Sequence, residues 1–453
     1  MTEPFDTVVV GVGSAGRVLA NRLSADPARR VLLLEAGRAA PRASTVPAHW
    51  PSMLGSEVDR GFHTELQAGC QQRRMYWPRG RMTGGSGALN AMIYMRGVPS
   101  DYARWEVAGC PGWGWRDAHP VFRRSERNLR FGSTPWHGGE CERAVSDAAS
   151  VDPVERLWLA AARAAGLPVN DFIGATQAGV GLVQASILDG ERCGTARAFL
   201  APAQGRRNLV VRSGVTVLRI TFDGARASGV ELMENGRPHH EHADAEVVLC
   251  AGAIGSPHLL LHSGIGPPTN SRRSAPVRNS TCPASASACK TIRTARSPSR
   301  PRNADPQAAP AIDPRYFSDS GDADLALLVE GIRLNREILR QSPIREVPGA
   351  QSELSDGATD NAALRALIRA QCTTLCHPTG TCRMGSDALA VVDPALRVRG
   401  AERSFVADAS VFPSMVCGNT NAPVVTVVTV AERAANLIRH RGTARARQPE
   451  TTR

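Results

Sequence analysis

A chain of 453 residues, 42% of them hydrophobic, has an ordinary globular composition and is long enough for two or three domains with their own cores. Its formal charge of +12 suggests a nucleic-acid partner, but eight bases and no acids fall between Pro267 and Arg302, so the rest of the chain carries only +4 and no nucleic acid is expected. No apolar run approaches membrane-spanning length and the eleven cysteines follow no disulfide spacing; with a first strand inside ten residues of Met1, the expected compartment is the cytoplasm, with peripheral membrane association left open.

The chain opens with Val8-Val9-Val10, which reads as a strand running into Gly11-x-Gly13-Ser14-x-Gly16. A helical pattern follows through Val18, Leu19 and Leu23, then a second apolar run from Val31 to Leu34 ends at Glu35. Gly11 permits the tight turn, Gly13 lets the backbone approach a pyrophosphate, Gly16 lets helix and strand pack closely, and the helix N-terminus offers unpaired N–H groups to phosphate oxygens. Glu35, 19 residues beyond Gly16, is placed to accept hydrogen bonds from an adenosine ribose. Strand, glycine turn, helix and acid together predict dinucleotide binding and leave open which dinucleotide.

Arg38 to Arg74 reads as loop. Gly80, Gly84, Gly85 and Gly87 then cluster with Arg79 and Arg81 ahead of an apolar stretch that could be helical. Successive glycines free N–H groups for an anion-binding concavity and let a flat ring lie on the main chain, against the plainer alternative of a glycine loop. From Trp105 to Arg124 a surface turn leading into a short amphipathic helix is expected, then a helix over Glu155–Ala165 and a strand over Gly179–Ser186. Asn208–Ile220 and Gly229–Met233 read as β segments with a turn at Asp223-Gly224. Glu246–Cys250 is a strand that feeds a second glycine turn at Ala251-Gly252 and a helix expected to start on Pro257, since proline suits a first helical turn.

The run Gly252 to Gly266, GAIGSPHLLLHSGIG, resembles in full the second signature of the glucose–methanol–choline oxidoreductases, flavoproteins that oxidise alcohols. Gly80 to Asn90 is similar to their first signature, with Thr83 where an aliphatic residue is usual and Gly87 where a serine is common. Ser410–Pro413 and Gly418–Pro423 match their C-terminal block, and the nearest likeness is to choline dehydrogenase-like alcohol dehydrogenases. The resemblance implies an α/β fold: a Rossmann-like FAD-binding domain assembled from residues 1–145, 205–267 and 385–453, with a smaller, truncated α+β substrate-binding domain from 146–204 and 303–384.

It also implies the site. FAD would lie on Gly11, Gly13, Ser14, Gly16 and Glu35, on Arg81, Gly84, Gly85, Asn90 and Ala91 of the first signature, and on Ala251 and Gly252 of the second. Asp408 and Ala409 would meet its ribityl-pyrophosphate part, Asn421 and Pro423 its ring, and Val217 its adenine through the backbone. Leu89 stands where some members attach FAD through a histidine, which implies noncovalent FAD. His377 falls on the family's catalytic histidine and Asn419 on its partner, a second histidine in other members. A lone histidine is more often a satisfied core residue, but alcohol oxidation needs a base for the O–H proton and a polar group for the developing alkoxide, and an imidazole and an amide suit those tasks. Cys372, Cys376 and Cys382 around His377 match no common zinc spacing, so no metal is expected.

Pro267 to Arg302 lacks hydrophobic periodicity and holds Lys290, the single lysine of an arginine-rich chain. Back-translated with GC-rich codons and shifted by one base, Ser280–Arg293 becomes LDLPGVGERLQDHP and Thr269–Ala275 becomes DELAALG, strings that resemble the family where the encoded residues do not. A frameshifted reading from Pro268 to about Arg302 is therefore expected, with a block of substrate-domain strands absent before the frame returns near Asn303. Val425–Val430 reads as a tandem triplet inserted in a helix. The expected activity is FAD-dependent oxidation of a primary alcohol, choline-like or aliphatic, with electrons passed to a quinone or other acceptor. A catalytically impaired remnant and a hydroxynitrile-lyase-type activity are the alternatives.

Overall fold

The structure, a computed structural model, describes residues 4–174, 176–266, 290–291, 299–300, 304–319, 321–349, 357–420 and 425–445. The frameshift-like segment lies almost wholly outside them, as do Asn421 and Pro423.

The centre is a mixed sheet. β1 (Phe5–Val10) and β2 (Val31–Glu35) run parallel, with Val8 opposite Leu32, and α1 (Ser14–Leu23) connects them. β3 (Leu209–Ser213) adds to the far side of β2. β4 (Val215–Asp223), β5 (Arg226–Glu234) and β6 (Arg237–Leu249) form an antiparallel meander. The last strand serves two sheets: Arg237–His242 pairs with β5, while Ala243–Leu249 lies parallel to β1 and to β7 (Ser404–Val406). The parallel order is therefore β3-β2-β1-β6-β7. β2 is buried throughout, and its unbroken apolar run is what a parallel strand covered on both faces requires. All five parallel strands point their carboxyl ends toward the glycine turns, where α/β folds bind ligands.

Around this sheet, α2 (Pro99–Val107) and α3 (Trp115–Arg124) carry an aromatic cluster. Trp105 and Trp113 are buried, donating to the carbonyls of Ser414 (3.1 Å) and Pro394 (2.9 Å), so the segment expected as a surface turn instead fastens the N-terminal region to the C-terminal one. α4 is Pro153–Ala164. The strand expected over Gly179–Ser186 shrinks to Gln184–Ala185, paired with Ile93–Tyr94. The stretch after the first glycine run is one helical turn, Ser86–Leu89.

The helix α5 spans Gly252–His262, so Pro257 sits inside it rather than at its start. Proline has no N–H for the carbonyl four residues back. That carbonyl, on Ala253, is taken by the Thr381 hydroxyl at 2.7 Å, which removes the cost and ties the helix to the segment carrying His377. α6 (Ala323–Leu339) and α7 (Asn361–Gln371) pack over a second cluster that includes Trp77, Tyr316, Leu325 and Leu364. α8 (Val425–Arg445), which contains the triplet, lies against α1, where Arg22 pairs with Glu432 at 2.7 Å. No helix among the described residues is long and apolar enough to cross a membrane.

Candidate active site

Three glycine turns converge at the carboxyl ends of β1 and β6. Gly11 has φ +108°, and a Cβ there would meet the Cys250 carbonyl oxygen at 2.5 Å; a Cβ on Gly16 would lie 1.9 Å from the Gly11 oxygen. Both are glycine because the chain packs on itself. Gly13 differs: its Cβ would come no nearer than 3.8 Å to any other part of the chain, so protein packing does not demand a glycine there, whereas an approaching ligand would. The first-signature run lies across this turn: Gly84 N donates to the Val12 carbonyl at 2.8 Å, and Gly85 faces Gly13. Ser14 starts α1 and is buried.

Glu35 is buried at the end of β2, accepting from Val12 N (3.0 Å) and Gly37 N (2.9 Å). Burial pushes its carboxyl up, while those N–H groups and Arg60 and Arg17 pull it back. Arg81 places its main chain against Gly37 and exposes its side chain. Gly214 N donates to the Gly37 carbonyl at 2.8 Å, which starts β4 beside Glu35 and sets Val217 three residues further on.

Asp408 is buried, and its carboxylate holds the third turn together. It accepts from Gly252 N (2.8 Å), Ser256 Oγ (2.5 Å) and Ser410 N (2.8 Å); burial raises its pKa against those bonds. Its side chain is thus committed to Ala251-Gly252, and Ala409 behind it accepts from Gly380 N at 3.2 Å.

Two arginines escaped the sequence reading. Arg192, far along the chain, is buried and donates to the Asn90 side chain (2.6 Å), the Asn90 carbonyl (2.7 Å) and the Ser44 carbonyl (2.7 Å), clamping the Asn90-Ala91 end of the first signature. Arg17, in the first turn of α1, is also buried; its Nε has no partner and its Nη atoms stand 2.9 Å from where a Gly84 Cβ would be. Burial lowers its pKa to about 10, with Glu35 pulling the other way. A glycine approach surface, a helix N-terminus and an unpartnered buried guanidinium nitrogen suit an anionic diphosphate, so these residues fit a dinucleotide such as FAD.

His377 follows α7 on a segment stitched to the Asp408 turn: Cys382 N donates to Ser410 O and Met384 N to Val411 O, both at 2.8 Å. Its Nδ1 lies 3.0 Å from Thr420 Oγ1 and 3.3 Å from Thr420 N. Burial first, and the Arg79 guanidinium second, lower the imidazole pKa to about 3, so the ring is neutral at neutral pH. Asn419 directly precedes Thr420, so the residue paired with His377 by resemblance adjoins the one that touches it. Thr420 was not singled out in the sequence because a threonine carries no chemistry until a partner is known. The three cysteines go separate ways: Cys382 is buried, Cys376 Sγ contacts the Thr374 carbonyl, and Cys372 faces Cys70.

The fold and these turns define an α/β flavoprotein-type dinucleotide site with a histidine beyond it. Models of the GMC oxidoreductases match residues 5–281 and 296–427, and the chain belongs to that family of FAD-dependent oxidoreductases. It is similar to an uncharacterized GMC-type oxidoreductase of Mycobacterium tuberculosis, 35% identical over 97% of this chain and all of the relative, and to the mitochondrial choline dehydrogenase of Homo sapiens, 33% identical over 96% and 90%. Among solved structures it resembles pyridoxine 4-oxidase from Mesorbium loti, with TM-score 0.86 and 29% identity over 96% of this chain and 99% of that one. The M. tuberculosis alignment runs 536 residues, more than the 453 of this chain, so this chain has gaps against its relative. The two family matches leave residues 282–295 uncovered, inside the odd basic segment.

Proposed function

We propose that this protein oxidises a primary alcohol, choline-like or aliphatic, to the aldehyde, with His377 as base, and passes the electrons to a quinone or another acceptor. The observation that carries this reading is the neutral His377 held by Thr420 on a segment tied to the glycine turns. FAD supplies the hydride acceptor. Gly11, Gly13, Ser14, Gly16, Gly84, Gly85 and Gly252 would receive its phosphates and ring on backbone, Glu35 its ribose, and Leu89, buried among Met53, Met82 and Ala88, offers no atom for a covalent link, so the cofactor is noncovalent.

The proton step belongs to the chain's own residues. Thr420 N–H donates to His377 Nδ1 at 3.3 Å and Thr420 Oγ1 lies 3.0 Å from the same nitrogen, so Thr420 sets the ring's orientation; for Nε2 to take the substrate hydroxyl proton, the ring proton would have to sit on Nδ1 facing Oγ1. The depressed pKa keeps the ring in the unprotonated form that a base requires. The Asn419 amide would donate to the alkoxide oxygen as charge develops. The cytoplasm is the proposed compartment.

A second reading, a catalytically impaired remnant, is supported by the gaps against the relatives, since the family resemblance implies that substrate-domain strands fall in the missing block. Steady-state turnover of the purified protein with choline and simple primary alcohols, using a quinone acceptor, tests the first reading against the second. Aldehyde formation that is lost in His377→Gln supports the first; flavin that binds but is never turned over supports the second.

A further inference from the structure

Cys70 ends the 3₁₀ turn Ala68–Cys70 and is fully buried; Cys372 caps the carboxyl end of α7 and is half-buried. The two are 302 residues apart in sequence, yet their sulfurs lie 3.5 Å apart. Arg73 reaches over the pair, its Nη2 donating to Cys372 Sγ (3.2 Å), the Cys372 carbonyl (2.8 Å) and the Arg369 carbonyl (3.1 Å). Arg369 Nη1 returns the contact to the Gly69 carbonyl at 2.8 Å. Two thiols are thus pressed together by two guanidinium clamps, one of which rests on a sulfur.

A cation on one sulfur makes that sulfur the thiolate and leaves the proton on its neighbour. The Cys372 thiol is drawn down to about 7, first by its contact with Cys70 and then, against burial, by Arg73 and Arg369; Cys70 moves up. Among the described residues the other shifted cysteines, Cys110, Cys141, Cys250, Cys376 and Cys417, all move up, chiefly through burial. The half-buried sulfur is the activated one, and the buried sulfur waits behind it.

We propose that Cys372 and Cys70 form a dithiol site oxidised by hydroperoxides, with Cys372 as the attacking thiolate and Cys70 as the resolving thiol. The Cys372 thiolate attacks one peroxide oxygen and the O–O bond breaks. The sulfur becomes a sulfenic acid, and the departing alkoxide or hydroxide takes a proton from solvent. Cys70 then gives up its proton, attacks the Cys372 sulfur and expels the sulfenic oxygen as water. Overall the two thiols lose two electrons and two protons, the hydroperoxide gains both, and one disulfide, one alcohol or water and one further water result. The bond would fasten the Ala68–Cys70 turn to the end of α7, five residues before His377.

The test uses the full-length protein, reduced, freed of reductant and treated with a small excess of hydrogen peroxide. After denaturation, alkylation of free thiols and digestion, the expected result is a Cys70–Cys372 linked peptide, with the intact mass lower by two hydrogens and reversed by dithiothreitol. In Cys70→Ser, dimedone should label Cys372. In Arg73→Gln, the link should form about fivefold more slowly, since the thiolate fraction falls while intrinsic nucleophilicity partly compensates. Cys70 and Cys372 both still alkylated after peroxide treatment, oxidation of Cys372 without the link, or first oxidation at exposed Cys417 would each overturn the proposal. Should a variant fail to fold, the wild-type peptide map decides alone.

Discussion

At the dinucleotide cradle the contacts involve backbone: Gly11 and Gly16, which admit no Cβ, N–H groups on buried carboxylates, and the Asn90 carbonyl gripped by Arg192. Around His377 they are made by side chains from distant segments, a threonine hydroxyl on the imidazole, a hydroxyl on the carbonyl that Pro257 leaves open, and one thiol facing another. Backbone geometry restricts residue type at fixed local spacing, so it leaves a pattern in the sequence. A side-chain contact between segments 43, 128 or 302 residues apart leaves none.

The largest expected effect lies within the cradle. Gly16→Val puts a side chain where even a Cβ would be 1.9 Å from the Gly11 oxygen, so β1 and α1 must separate; thermal and chemical denaturation should show a loss of about 3 kcal/mol or more, with no retained flavin. Gly13→Ala sharpens the contrast. With 3.8 Å of clearance the apoprotein should keep its stability within about 1 kcal/mol, while the FAD dissociation constant, read by flavin fluorescence, rises roughly tenfold. Equal damage from both substitutions would show that the chain, rather than the cofactor, demands Gly13.

On the His377 side, Thr420→Val removes the hydroxyl that can accept an Nδ1 proton and leaves only the backbone N–H donating to Nδ1, which favours the tautomer with its proton on Nε2. Turnover should fall about 10²-fold, with Thr420→Ser close to wild type and FAD content unchanged in both. Arg17→Met should weaken FAD binding by about tenfold while leaving apoprotein stability unchanged or higher, because a buried cation whose Nε has no partner is removed.

A further effect is in pH. His377 and His258 are lowered to about 3 and about 4, mainly by burial, so in the folded protein they stay neutral where the unfolded chain takes up protons. Their contribution to stability is full above about pH 6.5 and is lost as pH falls toward those folded values. Urea midpoints at pH 7.5, 6 and 5 should decline in that order, and less steeply in His377→Gln.

Much of the fold was legible: β1, α1, β2, the first two strands of the meander and α5 leave apolar runs and glycine turns, whereas the single β segment expected over Asn208–Ile220 is two strands, β3 and β4, and the outer half of β6 from Arg237 carries no apolar signal. The position of α5's start was not legible, because Pro257 is tolerated inside the helix only through Thr381, 124 residues away. The strand expected over Gly179–Ser186 is short because only Gln184–Ala185 pairs as a strand, with Ile93–Tyr94, while Val180 makes an isolated bridge to Val169. In the site, Glu35 and the glycines were readable from spacing and His377 from family resemblance. Arg17, Arg192, Thr420 and the Cys70–Cys372 contact became visible only when folding brought the segments together.

Alcohol oxidation at His377 is tested most directly by the absorption spectrum of the purified protein, recorded anaerobically before and after addition of choline and a panel of primary alcohols. The expected result is a bound flavin whose visible bands bleach with at least one alcohol and do not bleach in His377→Gln. Flavin that every alcohol leaves oxidised, or protein that holds no flavin, would contradict it.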